Sequence, residues 1–347
     1  MVQLQELMNF YKWKGTHVDM NKILELEHDG LIQMKKHREY PLFLLNYTAK
    51  AQFKQRWCKE LILARGLVVR EDGEIIARPI PKFFNHYEIK GFEYDNTQDY
   101  ELYDKMDGSL AIMFHYENIR IFCTRGSFMS EQAVKSEEIF RLKYNIGKIN
   151  KECTYCFEVI YPKNKIVVDY DELEDLFLIS INHTKTGKEV NIEDAGFKTV
   201  NKLETNGLSF SDLLQYDIPN KEGYVLKMNN FRVKIKFDNY IVKHKGKTLS
   251  VDAIKRSMKK MEHINLDNIP DESYHEVRKI IHEMEDEFNN KKHMIESVYA
   301  DIIKVNDSGR DVIEAIKLKD YTSILFAMYR GKPYDKLIWK LYNIQLN

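Results

Sequence analysis

The hydrophobic pattern of this chain changes period near Lys247, and that change bounds what the chain can fold into. Upstream, over residues 41–236, short apolar runs rich in β-branched and aromatic residues alternate with turn formers, the pattern of sheet strands. Residues 67–70 and 75–77 flank Glu71-Asp72-Gly73-Glu74, which reads as a hairpin turning on Asp-Gly. Further strands are expected over residues 111–114, 119–124, 155–160, 176–181, 223–228 and 232–237, with a helix over 130–144. Downstream, Val251, Ile254, Met258 and Met261 recur at helical spacing. Apolar residues from Val277 to Ile303 then mark one long amphipathic helix or a helical pair. Asp307 or Ser308 offers the next cap, Gly331 closes a helix ending at Arg330, and residues 334–346 read as a last helix. The expected class is α+β: an antiparallel-sheet domain over residues 1–246 and an all-α domain over 247–347, its Met and aromatic stripes serving as core.

The 347 residues suit two domains, and 44% hydrophobic with 31% charged residues fits a folded protein rather than a disordered one. No stretch approaches the ~20 apolar residues of a membrane helix, and residues 1–13 lack a signal-peptide pattern, so a soluble cytoplasmic protein is expected. The formal charge is zero, so any nucleic-acid binding must use a local basic surface. Cys153 and Cys156 form a lone C-x-x-C without a second ligand pair, inside an apolar run that reads as a buried strand. Free thiols in a reducing compartment are expected there, not a metal site.

Three short features carry chemistry. Lys105-x-Asp107-Gly108 is a weak match alone, and a solvated turn would explain it. An amine attacks only as the neutral base, so a nucleophilic lysine wants desolvation or neighbouring cations. A glycine turn beside it lets a phosphate come close. In Arg232-Val233-Lys234-Ile235-Lys236-Phe237, alternation puts Arg232, Lys234 and Lys236 on one strand face. Exposed cationic faces are usually just solvated, yet such a row also suits a triphosphate. Lys243, Lys245 and Lys247 follow; Gly246-Lys247-Thr248 imitates a phosphate loop, but Ile241 stands where its first glycine belongs. Glu158 lies inside an apolar strand and Glu222 precedes Gly223-Tyr224, where a carboxylate needs a partner or a metal.

In order, Lys105-x-Asp107-Gly108, Arg125-Gly126-Ser127, Phe157-Glu158, Glu222-Gly223-Tyr224 and Lys234-x-Lys236 resemble the covalent nucleotidyltransferase superfamily of ligases and capping enzymes. Arg65-Gly66, Arg78-Pro79-x-x-Lys82-Phe83-Phe84-Asn85, Ser109-Leu110 and residues 127–132 resemble its phage-type RNA ligase 1 branch. The likeness runs over residues 46–236 and more loosely through 328–331. It implies an ATP-grasp-like ligase domain and an ATP-dependent RNA ligase joining 5′-phosphate and 3′-hydroxyl ends, for RNA repair including nicked tRNA.

The resemblance also implies roles. Lys105 would carry AMP, with Asp107 and Gly108 in its motif and Lys234 and Lys236 on the α-phosphate. Tyr47, Arg65 and Lys82 would hold pyrophosphate, Arg125 the adenosine side and Val225 the adenine face. Glu158 and Glu222 would bind the ribose or, through water, Mg2+ or Mn2+. The family often has lysine where this chain has Arg125, which keeps the charge but alters the donor geometry. The site would lie in the cytoplasm, or in the host's for a phage protein. A DNA ligase or capping enzyme shares the core motifs but usually continues into a β-barrel, whereas helices follow here. A non-catalytic RNA-binding relative should lack one of the motif residues, and none is missing. A helical appendage in this branch is thought to select structured RNA.

Overall fold

The computed structural model describes residues 2–92, 100–144, 149–193, 195–205, 207–228, 231–245, 251–261 and 273–341. It divides into two compact units, Met1–Lys247 and Thr248–Asn347.

Three mostly antiparallel sheets and a two-stranded parallel pair, Val2–Gln3 with Ile89–Lys90, build the first unit. One five-stranded sheet runs in the order Lys202–Leu203, Glu101–Lys105, Gly223–Met228, Phe231–Lys236 and Phe84–Asn85, the last joined in parallel. A second runs Ile119–Thr124, Ser109–Tyr116, Cys153–Ile160, Asp175–His183 and Glu189–Val190. The third has four strands, Ile32–Lys36, Leu42–Tyr47, Arg65–Arg70 and Ile75–Ala77. Its last two form the hairpin expected from Asp72-Gly73, and Gly73 takes the left-handed conformation such a turn requires, with φ at 87°.

Side-chain alternation explains how these sheets stack. Along Cys153–Ile160, Tyr155, Phe157 and Val159 enter a core with Met113, Phe122, Leu176 and Leu178. Helix Glu131–Lys143 covers that core with Ile139 and Phe140. Ser130 caps the helix by accepting from the Ala133 amide, worth about 1 kcal/mol. Cys153 and Cys156 are buried free thiols in that strand.

Two features depart from the local sequence pattern. The Arg232, Lys234, Lys236 face is not solvated: Arg232 and Lys234 are only 8% and 9% exposed. Both faces of that strand are covered, one by apolar packing through Val233 and Ile235 and the other by the cavity wall. Strand Glu101–Lys105, which ends on Lys105, carries little apolar signal, because only Leu102 in it is apolar and deeply buried. The strand faces a polar cavity on its other side, so the usual apolar signal is absent.

Among its described residues the regular elements of the second unit are all helices: Val251–Lys260, Tyr274–Val305, Gly309–Lys317, Thr322–Tyr329 and Asp335–Trp339. The long apolar series forms one 32-residue helix rather than a pair. Ser308, not Asp307, caps the following helix, accepting from the Asp311 amide. Gly331, with φ at 61°, follows the helix ending at Tyr329. Ile295, Ile302, Val312, Ile316, Ile324, Leu325 and Ile338 form its core. Gly246-Lys247-Thr248 and residues from 342 onward lie outside the described residues. Among the described residues no helix is long and apolar enough to cross a membrane.

Candidate functional site

Pairing in the first sheet sets the site. Gly223 stands opposite Lys105 on one side and opposite Lys236 on the other. The three residues therefore form a row across three strands, and Glu222 adjoins it. Its Oε2 is 2.8 Å from Lys105 Nζ and its Oε1 is 3.1 Å from Lys236 Nζ. Burial pushes the Glu222 carboxyl up, but the two ammonium groups outweigh it and hold it below its ordinary value. Gly223 is required where it stands. Its φ is 148°, and a Cβ there would run into the Ile235 carbonyl oxygen and the Lys236 backbone.

A cavity of about 520 Å³ opens beside this row, between the two five-stranded sheets. Lys105, Gly108, Arg65, Arg125, Glu158 and Val225, all named from the sequence, line it. Its apolar patch is made by Ile80, Phe83, Leu110, Ile179 and Val225. Ile179 gets there through a bulge: Cys156 pairs with Ser180 and Phe157 with Leu178, leaving Ile179 unpaired. A bulge re-aims a side chain, and this one turns Ile179 to the cavity while Leu178 stays in the core.

Glu158 lines the cavity and its Oε1 accepts from the Gly108 amide at 3.1 Å, tying the acid to the lysine motif. Gly108 packs so closely on that strand that a Cβ would meet Ile160, the Val159 carbonyl and Glu158 itself. Burial raises the Glu158 carboxyl to about 7, with Lys105 pulling it down and Glu222 pushing it up. A carboxyl raised in the folded state binds its proton there where the unfolded chain has released it. Stability therefore falls as pH rises from the ordinary carboxyl range through about 7. Between pH 5 and 8, Glu158→Gln is expected to gain on the parent by up to about 3 kcal/mol. Paired urea melts measure it; parallel pH curves would count against the buried proton.

Asp107 has a different place from the one its motif suggests. It is 3% exposed and does not line the cavity. Its Oδ2 accepts from the Val167 and Val168 amides, both at 2.8 Å, and its Oδ1 from the Tyr240 hydroxyl at 2.7 Å. The Asp107 amide donates to Tyr170 Oη. Asp107 thus anchors the turn that presents Lys105. Tyr240 also lies with its ring 5.2 Å from Lys236 Nζ, linking the two lysine-bearing segments.

Other expected residues stand behind the wall or brace it. Arg125 Nη1 donates to Tyr47 Oη at 2.9 Å. Lys82, 1% exposed, points its ammonium at the rings of Tyr47, Trp57 and Phe84. Lys234 Nζ lies 5.1 Å from the Phe83 ring. Tyr47, Lys82, Lys234, Lys236 and Glu222 do not themselves line the cavity.

The sequence reading missed Tyr170, Tyr240, Ile179, Tyr103, Lys227 and Glu189. Period-two alternation from Val225 would have found Lys227; nothing local marks Glu189, on a two-residue edge strand. Among the described residues no cluster of three or more His, Cys, Asp or Glu could hold a metal by itself.

The geometry is thus a lysine held against an acid and a glycine beside a cavity of about 520 Å³, with further cations behind it. A family model described as RNA ligase matches residues 63–248, more than half of the chain. The chain belongs to that family, the phage T4 RNA ligase 1 type. It is 25% identical over 248 residues to a protein of Autographa californica nuclear polyhedrosis virus named as a bifunctional polynucleotide kinase/RNA ligase. That match covers 62% of this chain and 35% of the relative, so the chain spans about a third of its length. A Naegleria gruberi RNA ligase solved with ATP and Mn is 20% identical, with a TM-score of 0.37, over 43% of this chain and 52% of that one. The same ligase with PPi has a TM-score of 0.36 at 20% identity, over 43% and 52%.

Proposed function

We propose that the protein is an ATP-dependent RNA ligase that works through a covalent lysyl-AMP, in an ATP-grasp-like ligase domain. The observation that carries this reading is the row Lys105–Gly223–Lys236 bridged by Glu222 at the edge of the cavity. Family membership supplies the class of chemistry, and the row supplies a nucleophile with its supporting charges.

In the first step Lys105 Nζ attacks the α-phosphorus of ATP. A nitrogen–phosphorus bond forms, the bond to pyrophosphate breaks, and the amine gives up a proton. Lysine in an ion pair carries that proton and offers no lone pair, so the Lys105–Glu222 contact must open as nucleotide binds. Lys236 and Lys234 then face the charge on the α-phosphate, and Val225 with Ile179 receives the base. Arg65, with Tyr47 and Lys82 behind it, receives the departing pyrophosphate, while Arg125 meets the adenosine side. Magnesium or manganese, held by Glu158 and Glu222 through water and by the phosphates, would add neutralising charge. In the second step a 5′-phosphate oxygen of RNA attacks and the lysine–phosphorus bond breaks. In the third, a 3′-hydroxyl attacks the activated end and AMP leaves. Positioning and charge stabilisation carry all three.

Repair of nicked tRNA fits this chemistry, with the helical unit selecting the RNA. The experiment uses nicked tRNA and single-stranded RNA with Mg2+ and ATP. Ends bearing 5′-phosphate and 3′-hydroxyl are expected to seal, and 5′-hydroxyl with 2′,3′-cyclic phosphate ends are not. Efficient sealing of the second kind, or sealing without nucleotide, would sink the reading.

A further inference from the structure

The face that carries Lys105 has a third row, and the chemistry above does not use it. Two residues along each strand from the Lys105–Gly223–Lys236 row comes Tyr103–Val225–Lys234, and two further comes Glu101–Lys227–Arg232. Each step along the face is about 7 Å. The third row is a lattice of charges closed by Glu189 from the second sheet. Arg232 Nη2 lies 2.6 Å from Glu189 Oε1, and Lys227 Nζ lies 3.1 Å from the same oxygen and 3.3 Å from Glu101. Glu189, Lys227 and Arg232 all line the cavity that holds Lys105. Both cations meet Oε1, and neither of these two ion pairs uses Oε2.

We propose that Glu189 selects adenine, accepting a hydrogen bond from its exocyclic amino group at the outer end of the base pocket. The inference rests on the covalent ATP reading. With the α-phosphate at the first row and the base on Val225 in the second, the outer edge of the base reaches the third. A nucleoside monophosphate is about as long as those two steps. One free carboxylate oxygen matches the single amino group on adenine C6. Guanine presents its O6 acceptor at that position, which a carboxylate repels. Guanine's own two-donor edge calls for both carboxylate oxygens, and Arg232 and Lys227 already occupy one. The same two ion pairs hold Arg232 and Lys227 against the carboxylate. Glu189 is thus both the acceptor for adenine and the restraint on the groups that would accept guanine.

The test compares covalent labelling of the full chain by α-labelled ATP, GTP and purine riboside triphosphate, which lacks a 6-substituent. The parent is expected to label from ATP, to reject GTP, and to lose about 10- to 100-fold with purine riboside triphosphate. In Glu189→Ala the ATP-to-GTP ratio is expected to fall by a similar factor, with no loss between ATP and purine riboside triphosphate. Glu189→Gln should also lose ATP preference. The ratio is read within one preparation, so it does not depend on how much of a variant is folded. An unchanged ratio in both variants, an equal purine riboside loss in parent and Glu189→Ala, or GTP used as well as ATP by the parent would overturn the inference. Those outcomes leave the covalent reading standing; a parent that takes label from none of the three overturns that reading itself.

Discussion

Lys105→Ala is expected to take up no covalent label from α-labelled ATP, a fall on the order of 10⁴-fold or more. The expectation follows from bond making rather than from binding. Alanine leaves no nitrogen to join the α-phosphorus, and the neighbouring lysines are placed differently: Lys236 lies on the far side of Gly223, and Lys234 is against Phe83. The cavity and its apolar patch remain, so ATP should still bind and quench or protect in an equilibrium assay. The same variant makes a second expectation possible. Once AMP is already on an RNA 5′ end, the remaining step needs no covalent lysine. Lys105→Ala should therefore still join pre-adenylylated RNA to a 3′-hydroxyl without ATP, though more slowly than the parent. Label surviving a denaturing gel in Lys105→Ala would remove the residue from the mechanism. Loss of both labelling and the pre-adenylylated reaction, in a protein that melts like the parent, would make Lys105 a general support instead.

Much of this site was visible in the sequence because its strands obey local rules. Residues 223–228 and 231–236 alternate at period two, and their pairing puts Lys234 and Lys236 on a common face with Val225. What local pattern does not carry is which strand lies between which. Lys105 reaches Gly223 across more than a hundred residues of chain, and only sheet order brings Glu222 to both lysines. Asp107 shows the same limit from another side. Its motif marks the residue, but its work is decided by Val167, Val168 and Tyr240, which are 60 to 133 residues away. Local pattern leaves the cationic strand face open to solvent or to a phosphate alike; pairing buries it, and long amphipathic stems tolerate that burial. Ile179 and Glu189 left no trace, since a bulge and a short edge strand are products of pairing, not of composition.

Glu222→Gln is expected to damage both folding and chemistry, for one physical reason. The carboxylate is 3% exposed and is the shared counter-charge of Lys105 and Lys236. A neutral amide can accept from one amine but cancels neither charge, so two mostly buried ammonium groups are left facing each other. Removing one partner of such a buried pair costs about 3–5 kcal/mol. Because the Glu222 carboxyl sits below its ordinary value in the folded state, its contribution is present above the unfolded carboxyl pKa and is lost as pH falls through the folded one. The gap between parent and Glu222→Gln in urea melts should therefore be wide at neutral pH and close in acid. Labelling from ATP should fall on the order of 100-fold even where the variant is folded, since both lysines lose the group that aims them. The two effects separate in a cycle. With Lys105→Ala already in place, one of the stranded charges is gone, and adding Glu222→Gln should cost less stability than it does in the parent. If the two losses simply add, the carboxylate does not hold Lys105, and the contact that must open for attack is not the one that governs the first step.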